Sequence, residues 1–149
     1  MYIWEIIMGL IDLASRNSLW RGMNYYEEKR VSSIKQVDEN IFESEVRGNK
    51  NKSYHVLIDI EHPRKSKCTC PFADGRRVIC KHIVATYFSV YPEDAKRLIE
   101  EAEEYEMEEE QRLQEEYQEI EKYVNSLTIN ELREQLILYM IEEKERRYW

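Results

Sequence analysis

Cys68-Thr69-Cys70, nine residues, then Cys80-Lys81-His82: the pattern C-x-C-x9-C-x-H uses all three cysteines of the chain and one of its three histidines. Four soft donors in two tight pairs, separated by a short loop, are what a tetrahedral Cys3His zinc site requires. In extended backbone, side chains two apart point to the same side, so Cys68 and Cys70 can reach one ion together. Cys80 and His82 stand just before and within an apolar run, Ile83-Val84-Ala85-Thr86-Tyr87-Phe88, and can close the tetrahedron from the start of a helix. Two blander readings compete. Buried free thiols beside a satisfied core histidine are common, and a disulfide is the other. Three cysteines leave one unpaired and no secretory signal is visible, which disfavours the disulfide. Four protein ligands fill the coordination shell, as in a structural site; a catalytic zinc keeps a position open for water. The expected cofactor is therefore Zn2+, held by Cys68, Cys70, Cys80 and His82.

Working outward, three strand-like runs precede the cysteines. Lys29 to Val37 is the first, Ile41 to Arg47 the second and Ser53 to Ile60 the third. In the third, Tyr54, Val56, Ile58 and Ile60 alternate with His55, Leu57 and Asp59, the period of a half-buried strand. Asp38-Glu39-Asn40 and Gly48-Asn49-Lys50-Asn51 are turn signals, so the connections are short and the sheet is an antiparallel meander. His55 falls on the polar face of its strand and His62 in a loop beside Pro63, and both read as surface residues. In the first fourteen residues Ile3, Ile6, Ile7, Leu10 and Ala14 recur at helical spacing, with Trp4 and Leu13 widening the stripe. That segment carries Glu5 and Asp12 and is too short to span a bilayer, so it reads as a core helix. Ser15 to Ser18 read as a break, and Trp20 to Glu28 as a second, short helical or irregular segment.

Beyond the metal motif, helix is expected to about Val90-Tyr91-Pro92. Pro92-Glu93-Asp94 then suits the start of another, because proline fits the first turn and acids its N-terminus. The run to Val124 holds neither Gly nor Pro, and its apolar stripe is Leu98, Ala102, Tyr105, Leu113, Tyr117, Ile120 and Val124. The stripe lapses at Glu109, so residues 106–112 should be exposed on all sides. A last helix is announced by a capping box, Thr128 with Glu131, and a hydrophobic staple, Leu127 with Leu132. These two helices are expected to fold back as a hairpin, with the last covering Leu113, Tyr117, Ile120 and Val124. Tyr148 and Trp149 have no evident cover and suggest a contact surface. The expected fold is α+β: an N-terminal helix, a three-stranded antiparallel meander with a Cys3His zinc finger, and a C-terminal long-helix hairpin. Residues 1–92 would form the finger domain and residues 93–149 an acidic helical extension.

The form Cys68-Thr69-Cys70-Pro71-Phe72 with Cys80-Lys81-His82-Ile83-Val84-Ala85 resembles the SWIM-type zinc finger. Arg21-Gly22-Met23-Asn24-Tyr25-Tyr26 followed by Arg30-Val31 resembles the RG-x-x-YY...GRV segment that precedes the finger in bacterial SWIM proteins. The glycine of that segment is Lys29 here. The resemblance implies a zinc-held module for binding DNA or protein, and no enzyme.

Charge divides the chain. Residues 1–92 carry 14 Lys+Arg against 11 Asp+Glu, whereas residues 93–149 carry 8 against 19, and the whole is net −8. Global acidity thus says little about the metal module, which is mildly basic. Basic residues cluster between Arg47 and His82, opposed by Asp59, Glu61 and Asp74. Three thiolates and a neutral histidine around Zn2+ leave about one negative charge. Lys65, Lys67, Arg76, Arg77 and Lys81 can offset that charge or contact phosphates, and the sequence leaves both roles open. Binding of DNA or another nucleic acid is one functional expectation. The alternative is a protein-interaction adaptor that uses the acidic helical arm on a partner or a second copy. Catalysis is not expected. The His-x-Glu...Cys-x-x-Cys pattern of zinc deaminases is absent, and four glycines form no phosphate-cradling loop. Free thiolate ligands suit a reducing, cytoplasmic setting, with no membrane role.

Overall fold

The computed structural model describes residues 9–148. Ile3, Trp4, Ile6 and Ile7 of the expected first helix, and Trp149, lie outside these residues. The chain divides into two units, one running to Ile99 and the other starting at Glu100.

The first unit is an antiparallel sheet with helices packed on one face. Residues 9–12 are helical, and Leu10 is fully buried. The break expected at Ser15 to Ser18 lies earlier, at Leu13, Ala14 and Ser15, and Ala14 there makes a bridge to Ile79 rather than extending the first helix. Ser15 is the N-cap of helix α1 (Arg16–Glu27), its Oγ accepting from the Ser18 N–H at 3.1 Å. A Ser-x-x-Ser cap starts a helix rather than interrupting one. α1 ends in a Schellman motif: the Lys29 N–H donates to Tyr26 O and the Arg30 N–H to Tyr25 O, both at 3.0 Å. Lys29 takes the left-handed conformation the motif demands, φ 53°.

Strands β1 (Val31–Asp38), β2 (Ile41–Arg47) and β3 (Ser53–Asp59) form the expected meander. A fourth strand, β4 (Lys67–Cys68), adds to its edge, pairing Val56 with Cys68 and Leu57 with Lys67. Two residues are too few to show alternation in the sequence, so the expected three strands become four. The inward positions of β2 and β3, Val46, Val56 and Ile58, are fully buried under helix α2 (Lys81–Val90). Asp59, expected on the polar face, is buried instead, because its carboxylate accepts the His62 backbone N–H at 2.7 Å and its own N–H donates to Ser66 Oγ at 3.0 Å. α2 is apolar nearly all round and is buried from His82 to Phe88. Thr86 Oγ1 donates to His82 O at 3.0 Å, so the buried Ser44 hydroxyl donates to Thr86 Oγ1 at 2.7 Å and ties β2 to α2. Helix α3 (Pro92–Ser126) contributes Ala95, Leu98 and Ile99 to this core.

In the second unit α3 continues and helix α4 (Ile129–Arg147) follows. Thr128 and Glu131 make the complete capping box. The last helix does not cover the α3 stripe. Leu113, Tyr117, Ile120 and Val124 are all exposed, as are Leu136 to Ile141 on α4. The stripe spacing identified the helix, but an amphipathic pattern does not specify its partner.

Candidate metal centre

Cys68 and Cys70 sit on one extended segment. Lys67 and Thr69 are exposed while Cys68 and Cys70 are buried, so the two sulfurs share a side as alternation requires. β4 fixes Cys68 opposite Val56. The loop after it turns on its own backbone: the N–H groups of Ala73 and Asp74 donate to Cys70 O at 3.0 and 2.9 Å, and Gly75 takes φ 69°. The chain then returns to Cys80, the N-cap of α2, with His82 in the first turn. One ligand atom from each of Cys68, Cys70, Cys80 and His82 lies within 4.8 Å of all the others, and all four residues are buried.

The donor set fits a zinc ion. His82 Nδ1 stands 3.6 Å from Cys68 Sγ and 3.8 Å from Cys80 Sγ. A tetrahedron with Zn–S of about 2.3 Å and Zn–N of about 2.0–2.1 Å has S···N edges of about 3.6 Å. The thiols affect one another strongly. The hydrogen bond between Cys68 and Cys80 raises the first and, with His82 also beside it, lowers the second to about 4. Burial raises Cys70. By themselves the three therefore resist sharing more than one negative charge, and a dication is what lets all of them ionise. The Cys70 N–H points at Cys68 Sγ, 3.4 Å away, and the positive end of α2 faces Cys80; both favour thiolate. Bound there, zinc would cross-link β4, the loop and α2.

Sequence reasoning missed the aromatic cage of His82. Its ring lies 5.3 Å from Tyr25, perpendicular, and 4.7 Å from Tyr54. Only the adjacent tyrosines of α1 hinted at it. Tyr25 also carries two cations, the Arg30 guanidinium at 4.4 Å and Lys81 Nζ at 4.5 Å from its centroid. Lys81 thus stands apart from the other basic residues singled out in the sequence. Lys65, Lys67, Arg76 and Arg77 line a groove of about 1360 Å³ that runs beside Cys68 and Thr69, joined there by Arg64. Asp12, Asp59 and Asp74 also border it, so five cations face three carboxylates. His55 and His62 are exposed along its wall, and neither belongs to the four-ligand cluster. No helix among the described residues is long and apolar enough to cross a membrane.

The family model of the SWIM zinc finger matches residues 54–91, a segment that contains all four ligands. Neither a curated protein nor a solved structure gives a match.

Proposed function

We propose that this SWIM zinc finger binds DNA or another nucleic acid through the groove beside Cys68. The observation that carries the reading is the convergence of Arg64, Lys65, Lys67, Arg76 and Arg77 on one concavity, from two segments that the metal holds together. Clustered cations that line a groove attract a polyanion and release its counterions. The role is binding rather than catalysis, since four side chains complete the zinc shell. Thiolate ligands suit a reducing, cytoplasmic compartment. The test is affinity for DNA and RNA as a function of salt. Binding should fall steeply with salt, and the double variant Arg76→Ala/Arg77→Ala should lower the slope by about 1 to 2. Absence of binding at low salt overturns the reading.

A second reading, protein interaction through the acidic arm, rests on a separate observation. Leu136 to Ile141 are six successive apolar residues on α4, each between 49% and 62% exposed. Such a run places apolar surface around the whole helix, a patch that marks an interface. Light scattering tests self-association: a dimer mass that falls to a monomer when residues 126–149 are deleted supports it. A monomer at high concentration rules out a second copy as the partner.

A further inference from the structure

The finger loop borders two cavities. Ala73 to Arg77 line the basic groove, whereas Pro71 and Phe72 stand at a second cavity of about 360 Å³ whose floor includes the metal ligands Cys70, Cys80 and His82. Tyr25 and Tyr54 contribute aromatic walls to that second cavity, and Asn17, Asn49 and Arg21 bring hydrogen-bonding groups to it. Phe72 stands at its edge, 53% exposed. Among the described phenylalanine, tyrosine and tryptophan residues before Glu100 it is the one more than half exposed, so the core does not account for it. Arg76 is placed against it. Its Nη1 donates to Phe72 O at 3.4 Å, and its guanidinium carbon lies 6.0 Å from the ring centroid.

An exposed ring beside a cation, at the lip of a basic groove, matches the two faces of a nucleotide: a phosphate for the charge and a base for the ring. We infer that the strand held in the groove is single-stranded, and that one of its bases stacks on Phe72 at the mouth of the second cavity. This inference rests on the nucleic-acid reading above and adds the substrate class to it. A duplex keeps its base faces inside the stack, so it can use the cations but not Phe72. An unpaired strand uses both. Asn17, Asn49 and Arg21 of the second cavity, away from the metal ligands in sequence, carry amide and guanidinium groups that suit a base edge.

Fluorescence anisotropy with a labelled oligothymidylate and with a duplex of equal length decides the matter. The single strand should bind more tightly. Phe72→Ala should weaken it roughly tenfold, the scale of one lost base–aromatic stack, and leave duplex affinity and both salt slopes unchanged. Phe72→Trp should retain single-strand affinity, whereas Phe72→Leu, which keeps bulk but no π face, should lose it. Equal affinity for the two probes, or a single-strand affinity indifferent to Phe72→Ala and Phe72→Leu, overturns the inference while the nucleic-acid reading stands. Binding of neither probe overturns both.

Discussion

Gly22 of α1 lies so close to Val84 of α2 that a β-carbon added to Gly22 would sit 2.4 Å from Val84 Cβ and 2.9 Å from Lys81 O. No real side chain tolerates that approach. The contact sets the spacing between the helix that carries Tyr25 and the helix that carries His82, and so places the ring against the metal ligand. Gly22→Ala should therefore cost about 2–3 kcal/mol despite alanine's better helix propensity, because a backbone carbonyl is one of the atoms struck. Chemical denaturation of the zinc-loaded variant measures the loss, and competition with a chelator should show weaker zinc retention.

Lys29 offers the opposite case. It holds φ 53° at the C′ position of a complete Schellman motif, where a β-carbon is strained. Lys29→Gly should stabilise the first unit by roughly 1 kcal/mol, the relief of left-handed strain less the added freedom of the unfolded chain. An unchanged or lower denaturation midpoint would show that the lysine side chain contributes something the backbone geometry does not reveal.

Zinc removal should unfold the finger. The purified protein is expected to carry about one zinc per chain, and a strong chelator or Cys80→Ser should abolish the cooperative transition, since structural zinc supplies ~10–16 kcal/mol in small fingers. His55→Ala and His62→Ala should keep full metal content, because both residues face the groove. Metal analysis by mass spectrometry separates the cases, and zinc loss in either histidine variant would reassign the fourth ligand.

Tyr87 gives the fold a dependence on alkaline pH. Its ring is fully buried and its hydroxyl donates to Asp94 Oδ2 at 2.6 Å, while Arg97 holds the other carboxylate oxygen at 2.9 Å. Burial first, and then the bond to Asp94, push the phenol well above its ordinary value. A raised folded-state value means that the unfolded chain releases this proton first. The contribution is intact below about pH 10 and declines as pH rises further. Tyr87→Phe should cost about 2 kcal/mol near neutrality, the scale of a hydrogen bond to a charged group. Urea denaturation repeated from about pH 8 to 11 should then show a shallower decline for the variant than for the parent chain. Parallel curves would mean that the phenol stays neutral in both states.

Helices α2, α3 and α4 and the three long strands were legible because each has a local signature, whereas the start of α1 was read as a break. Ser53 to Asp59 alternates, Thr128 and Glu131 cap, and Pro92 with Glu93 starts a helix. β4 was not legible, since two residues have no period, and its existence depends on the backbone of β3 beside it. The left-handed turn at Lys29 could not be read from its residue type. It is imposed by the pair of hydrogen bonds that closes α1.

The four metal ligands were legible in the sequence, because residues two apart in extended backbone share a side, and Cys80, itself extended as the N-cap of α2, stands two residues before His82. What the sequence could not supply was anything that depends on contacts between distant segments. That Arg64, Lys65 and Lys67 meet Arg76 and Arg77 across one groove, while Lys81 turns away to Tyr25, follows from how the loop folds back over β4. That Asp59 is buried follows from its bonds to the chain at His62 and Ser66. Periodicity reports which side of its own element a residue faces; only packing decides what stands opposite.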